Sequence, residues 1–321
     1  MQVEQDALLS RVAIELAEHR RLGAELAWRG GTCLHKLHLP EPRRYSEDLD
    51  YVLVGERARR FAEIANDVQS VLEGVGLVVG RWREITPTRI ALRGMASPTS
   101  PPPGAGGQSL SVKIEINTSD KEEPRDGTAE QMPLTRVGHE ARIGRWWSGT
   151  TEILTFEVPA LIGSKFRALG QRRKGRDLSD VWLARQELFI SDDELAEAAW
   201  WYTWVRERIS PRDLAVRIRS ALDDPSFTGD LDALTTTPYV GYSPVAYGRD
   251  LIRWVDGHLG PRHDASRAES AVRRDQQRWE RNGWSPDALR CVDLVANSGT
   301  PTRCPLWLLP GTPCPVHGSQ P

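Results

Sequence analysis

Lysine is scarce in this 321-residue chain: five occur, Lys36, Lys113, Lys121, Lys165 and Lys174, and arginine supplies the other basic residues. That scarcity makes each lysine's placement slightly more informative, although codon bias produces the same pattern. Cysteine is rarer still, with four in the chain, too few for a disulfide scaffold at this length. No apolar run approaches the roughly 20 residues of a membrane span, so no membrane partner is expected. The opening MQVEQDALLSRVAIELAEHRR carries acids early and lacks an apolar block. It reads as an amphipathic helix rather than a signal peptide, and a cytoplasmic location is expected. A large excess of one charge is also absent, the formal net charge being −2. Any contact with nucleic acid must therefore come from local patches.

What is present is an ordinary globular composition, 39% hydrophobic and 27% charged. Leu8, Leu9, Val12, Ile14 and Leu16 recur at helical spacing. The run Leu26-Ala27-Trp28 reads as a short strand, and Arg29-Gly30-Gly31-Thr32 as a tight turn opening a helix. After Pro40 and Pro42, the stretch RRYSEDLDYVLV ends in strand composition. Residues 56–74 read as a helix, LVVGRWREI and TRIALRG as two strands of a hairpin, and SLSVKIEIN as a further strand. The Pro/Gly/Ser-rich 96–108 is expected to be a loop between strands rather than a domain boundary. From Pro159, which suits a first helical turn, the pattern becomes helical. It stays mostly so over 190–285, with interruptions around 223–245. The expected class is α/β (α+β), divided as 1–190, a helical region 191–288 and a tail 289–321.

Three segments carry chemistry. In Gly30-Gly31-Thr32, glycines at a helix entry let backbone N–H groups approach a phosphate closely, although most such pairs are simple turns. In Ser46-Glu47-Asp48-Leu49-Asp50, strand periodicity puts Asp48 and Asp50 on one side with Leu49 toward the core. Two carboxylates on one face repel unless a cation lies between them, and Mg²⁺ commonly takes one or two carboxylates plus substrate phosphates. A solvated acidic turn has the same pattern. The third segment is Lys165 followed by Lys174-Gly175-Arg176-Asp177-Leu178-Ser179-Asp180, where Asp177 and Asp180 share a helix face. Ordinary charged helix faces account for that spacing equally well.

Taken in order, G-G-T, D-L-D at a strand and K…K-G-R-D-x-x-D resemble the AbiEii/AbiGii toxin family of nucleotidyltransferases, in the polymerase-β-type superfamily. The likeness covers roughly residues 22–188, and WRGGTCLHKL…RYSEDLDYVL is its most specific part. It implies a nucleotidyltransferase core with a mostly helical C-terminal region. Gly30, Gly31 and Thr32 would hold an NTP, and Asp48 and Asp50 would bind Mg²⁺ or Mn²⁺. Lys165 would contact the triphosphate, and Asp180, with Asp177, would complete the site. A third carboxylate is expected on a later strand. Glu115 suits it, because the polar residues of VKIEIN fall on one face, though a surface glutamate on a half-buried strand fits too. Two metal ions on Asp48, Asp50 and Glu115 would then bridge the phosphates. The resemblance further implies a macromolecular acceptor such as a tRNA end, a toxin–antitoxin or phage-defence role, and a cognate antitoxin as partner. A non-catalytic nucleic-acid-binding protein that keeps the fold, and a transferase acting on a small antibiotic-type molecule, are the other readings.

Cys291, Cys304, Cys314 and His317 form C-x12-C-x9-C-x2-H, a complete donor set for structural Zn²⁺, and a small zinc-held tail is expected. A tail with free thiols has the same composition. Cys33 is expected to be packed rather than ligating. Seven of the twelve tryptophans lie beyond residue 190. Trp200, Trp201 and Trp204 match helical spacing with Leu195 and Ala196, which favours packing over base stacking. Basic patches occur at Arg57, Arg59 and Arg60, at Arg167, Arg172, Arg173 and Lys174, and at Arg273, Arg274 and Arg278. The second adjoins the acidic segments.

Overall fold

The computed structural model describes residues 2–41, 44–45, 48–54, 61–86, 89–96, 110–117, 133–145, 147–232, 234–235, 239, 241–281, 289–290 and 307–308. Two compact units are distinguished, Met1–Pro261 and Arg262–Pro321. In the second, the described residues comprise part of a helix and a two-stranded antiparallel pair.

The first unit opens with α1 (Gln2–Glu18) and α2 (Leu22–Glu25), then β1 (Leu26–Arg29) and the single turn α3 (Gly30–Cys33). A π-helical turn, Leu34–His38, follows, then β2 (Asp48–Leu53), α4 (Phe61–Gly74), β3 (Leu77–Val79), β4 (Arg83–Thr86), β5 (Arg89–Ala96) and β6 (Ser111–Asn117). A hairpin of β7 (Leu134–Ile143) and β8 (Trp147–Phe156) leads to α5 (Val158–Gln171) and α6 (Gly175–Glu187). Next come α7 (Asp192–Trp200), a second π turn over Trp201–Val205, α8 (Pro211–Leu222), α9 (Pro225–Thr228) and α10 (Pro244–Arg281). The pair in the second unit is β9 (Leu289–Arg290) and β10 (Trp307–Leu308). The expected α/β core followed by a mostly helical region is therefore what the chain adopts.

The sheet runs β3-β5-β6-β2-β1-β8-β7, with β4 also on β5. The contacts β2–β6 and β1–β8 are parallel and the others antiparallel. β2 is thus an interior strand whose Leu49 and Tyr51 are buried in the main apolar cluster. Its alternate residues, Asp48 and Asp50, face the other side at intermediate exposure. Trp28 and Tyr51, partners across β1–β2, stack in the core with ring centroids 6.2 Å apart. A second apolar cluster, built on Phe166, Leu178, Val181, Leu195, Leu214, Phe227 and Val255, holds α5 to α10 together.

One strand expectation needs correcting. LVVGRWREI is not one strand of a hairpin: β3 and β4 are separate short strands that both pair with β5. The break falls at Gly80, Arg81 and Trp82, which lie outside both strands. The segment before Pro159 carries the long hairpin β7–β8, for which no strand reading was available. Trp200, Trp201 and Trp204 do pack, Trp201 in the core and Trp200 on Trp204 at 5.7 Å, but the turn there is π rather than α. Cys33 is buried, its Sγ 3.1 Å from Thr155 Oγ1, and burial pushes its pKa up to about 12. Cys291, Cys304, Cys314 and His317, like Arg57, Arg59 and Arg60, lie outside the described residues. Among the described residues no helix is long and apolar enough to cross a membrane.

Candidate active site

The glycine turn and the two aspartates meet because β1 and β2 are antiparallel neighbours. Arg29, the last residue of β1, is paired with Asp50, so the chain leaving β1 passes directly over the Asp50 carboxylate. Gly30 makes this passage with φ +85°, and a Cβ there would lie 2.6 Å from Asp50 Oδ2. Only glycine meets both demands. At Gly31 a Cβ would overlap the Arg44 guanidinium and come 3.1 Å from Asp180 Oδ2. Thr32 donates its hydroxyl to the Asp48 carbonyl at 2.7 Å, tying the turn to the strand.

The parallel neighbour β6 brings Lys113 opposite Asp48 and Glu115 opposite Asp50. Lys113 Nζ lies 2.6 Å from Glu115 Oε1 and 3.3 Å from Asp48 Oδ2, and Arg89 reaches Glu115 Oε2 at 3.3 Å. Burial raises the pKa of Asp50 above the ordinary carboxylate value. Arg29 and Lys165 work against the shift, while Glu115 and Asp48 add to it.

Lys165, on α5, is almost wholly buried, with Nζ 2.7 Å from Asp180 Oδ2 and 3.3 Å from Asp177 Oδ1. Asp180 is 0% exposed. It receives Arg44 Nε at 3.0 Å and Nη2 at 2.9 Å, and His35 Nε2 lies 3.0 Å from its Oδ1. Burial alone would raise its pKa, but Arg44, Lys165 and His35 together hold it well below the usual carboxylate range. Asp177, equally buried, is held by Arg172 in a two-pronged contact at 2.9 and 3.0 Å. Asp180, expected to complete the site from its helix, lines neither cleft; fully buried, it contacts Arg44 and Lys165, which do.

Two adjoining clefts share Asp50, Lys165 and Arg172. The smaller, of about 110 Å³, is lined by Gly31, Thr32, Arg44, Asp48, Arg176 and Asp177. The larger, of about 390 Å³, is lined by Arg29, Gly30, Arg89, Glu115, Arg167 and Gln171. Gly30, Gly31, Thr32, Asp48, Asp50, Glu115, Lys165 and Asp177 thus line one or other of these two adjoining clefts. Of these surroundings, Arg44, His35 and Lys113 were not singled out from sequence as site residues, whereas Arg172 was named in the basic patch adjoining the acidic segments. Arg44 had a visible signal, standing four residues before Asp48.

A profile of the nucleotidyl transferase AbiEii toxin family, of type IV toxin–antitoxin systems, matches residues 15–241. The chain belongs to the AbiEii family. It is accordingly a nucleotidyltransferase of toxin type, and the match spans both clefts and every residue named around them. No curated protein matches this AbiEii member. Among solved structures it is similar to an H. pylori protein assigned as a nucleotidyltransferase, at 16% identity and TM-score 0.40, covering 82% of this chain and 96% of that one. It is also similar to MenT4, a nucleotidyltransferase toxin of Mycobacterium tuberculosis, at 13% identity and TM-score 0.46, covering 79% and 83%.

The donor chemistry of the floor fits a hard divalent cation of the kind the family implies. Asp48 and Asp50 offer carboxylate oxygens on one strand face beside a cleft open to phosphates, the ligand set Mg²⁺ commonly takes. A third carboxylate ligand fits less well. Among the described residues no three of His, Cys, Asp and Glu converge as a metal-holding group, and both oxygens of Glu115 face basic side chains.

Proposed function

We propose that this AbiEii member transfers a nucleoside monophosphate from an NTP to a macromolecular acceptor, a tRNA end being the candidate class, and that a cognate antitoxin restrains it in the cell. The observation that carries this reading is the convergence of residues from β1–α3, β2 and α5 on one depression: Gly31 and Thr32, Asp48 and Asp50, and Lys165.

In this reading the Gly30–Gly31 turn presents backbone N–H groups to the triphosphate. Arg44, Lys165, Arg172 and Arg176 supply positive charge around the smaller cleft, where a triphosphate brings several negative charges. Asp180 and Asp177 act as positioning residues that hold Lys165, Arg44 and Arg172 before substrate arrives. That preorganisation is what makes electrostatic stabilisation effective. Asp48 and Asp50 would hold a divalent cation, which would supply positive charge to offset that of the triphosphate and the departing pyrophosphate. The acceptor hydroxyl oxygen forms the new bond to the α-phosphorus as the bond to the pyrophosphate oxygen breaks. Its proton passes to the carboxylates of the floor or to water.

The test is incubation of the full chain with Mg²⁺, each α-labelled NTP in turn, and tRNA or protein pools. Label appearing in tRNA supports the reading, and label in protein moves the acceptor. No metal-dependent consumption of any NTP would remove the reading altogether.

A further inference from the structure

The floor of the site holds a cation that belongs to the chain. Asp48, Asp50 and Glu115 form the acidic face of β2 and β6, and Lys113 stands among them, directly opposite Asp48 in the parallel register. Its Nζ reaches across to Glu115 Oε1 at 2.6 Å and Asp48 Oδ2 at 3.3 Å. Glu115 Oε2 is taken by Arg89 at 3.3 Å. Each Glu115 oxygen therefore faces a positive side chain of this protein, and one oxygen of Asp48 does too. Asp50 is left as the carboxylate of the three with no ion pair to Lys113, and it borders both clefts.

We propose that Lys113 occupies one of the two cation positions that the three-carboxylate floor would otherwise offer, so that the loaded enzyme carries one divalent ion, on Asp48 and Asp50, rather than two. This rests on the transferase reading above and refines it. The physical argument is local charge balance. A lysine ammonium held 2.6–3.3 Å from two carboxylates supplies the charge that a second divalent ion would bring. For a divalent ion to use Glu115, it would have to displace Lys113 or Arg89 and approach against their charge. At neutral pH an ordinary lysine is charged, so its positive charge is present before any nucleotide arrives. Lys113 thereby also spaces Asp48 from Glu115 and keeps their oxygens from repelling, which makes it a positioning residue for the Asp48–Asp50 pair. The remaining ion is expected to bind weakly to the empty floor and to arrive with the nucleotide, whose phosphates complete its ligands.

The experiment counts bound Mn²⁺ by electron paramagnetic resonance on the full chain saturated with a non-hydrolysable NTP analogue. The same count is made for Lys113→Met and Lys113→Arg, with circular dichroism and nucleotide affinity as controls for folding. One ion is expected in the wild type and in Lys113→Arg, which keeps the charge, and two in Lys113→Met. Without nucleotide, Mn²⁺ should bind Lys113→Met roughly tenfold or more tightly than the wild type, because a unit positive charge a few ångströms away has gone. Two ions in the wild type would overturn the inference while leaving the transferase reading intact. So would a single ion in a folded, nucleotide-binding Lys113→Met. Failure of every NTP analogue to bring Mn²⁺ to the wild type would overturn both.

Discussion

The Asp50 carboxylate lies where a side chain on Gly30 would have to go: a Cβ there would come within 2.6 Å of Oδ2. The turn and the acid are thus one steric unit, and the positive φ of Gly30 adds a second reason for glycine. Gly30→Ala should cost about 1–2 kcal/mol from backbone conformation alone and should push Asp50 off its position. Urea unfolding would measure the first effect. The second should appear as a transfer rate lowered further than the stability loss explains.

Asp50 carries the opposite trade. Burial raises its pKa, so the folded protein holds the proton more tightly than the unfolded chain does. Above the folded pKa the ionised Asp50 therefore weakens the fold, and below it that penalty is relieved. Asp50→Asn mimics the protonated form. It should raise the melting temperature at pH 7 while lowering transfer by about 100-fold or more. An unchanged or lowered melting temperature with full activity would contradict the assignment.

Asp180 behaves in the reverse sense. Its folded pKa is well below the unfolded value, so its stabilisation is complete above the unfolded carboxylate value. It is lost progressively as pH falls below roughly 4. Asp180→Ala leaves Arg44 and Lys165 without their shared partner in a buried setting, and a loss of about 3–5 kcal/mol is expected. Chemical unfolding at pH 7 and near pH 3 would show it, since the gap between wild type and variant should narrow in acid.

Lys165 is predicted to matter for rate more than for nucleotide affinity, because it borders both clefts and its ammonium is already fixed by Asp177 and Asp180. Lys165→Met should lower kcat by about 100-fold or more while the KM for NTP changes less. Equal losses in both, or a loss in KM alone, would mark it as a simple binding group.

How much of this was legible in the sequence differs by residue. The G-G-T turn, the D-L-D strand and the strand position of Glu115 were readable because their spacing follows backbone periodicity, and β1, β2 and β6 appear where the patterns put them. The hairpin β7–β8 was not. LTRVGHEARI is mostly half-buried or exposed, so the apolar alternation that betrays a strand is missing. The partners of Asp180 were hidden for another reason. His35 and Arg44 lie 145 and 136 residues away along the chain, and local spacing holds no record of such pairs. Lys113 was visible as a strand residue. Its place between Asp48 and Glu115 follows from the parallel pairing of β2 with β6, which becomes known only when the sheet order is known.

In the proposed reaction Asp48 and Asp50 hold the ion on which nucleotide transfer depends. The most direct measurement follows label from each α-labelled NTP into tRNA with Mg²⁺, with EDTA, and with folded Asp48→Ala in place of the wild type. Transfer is expected in the first case and background in the other two. Transfer that persists in EDTA, or in a folded Asp48→Ala at the wild-type rate, would contradict it.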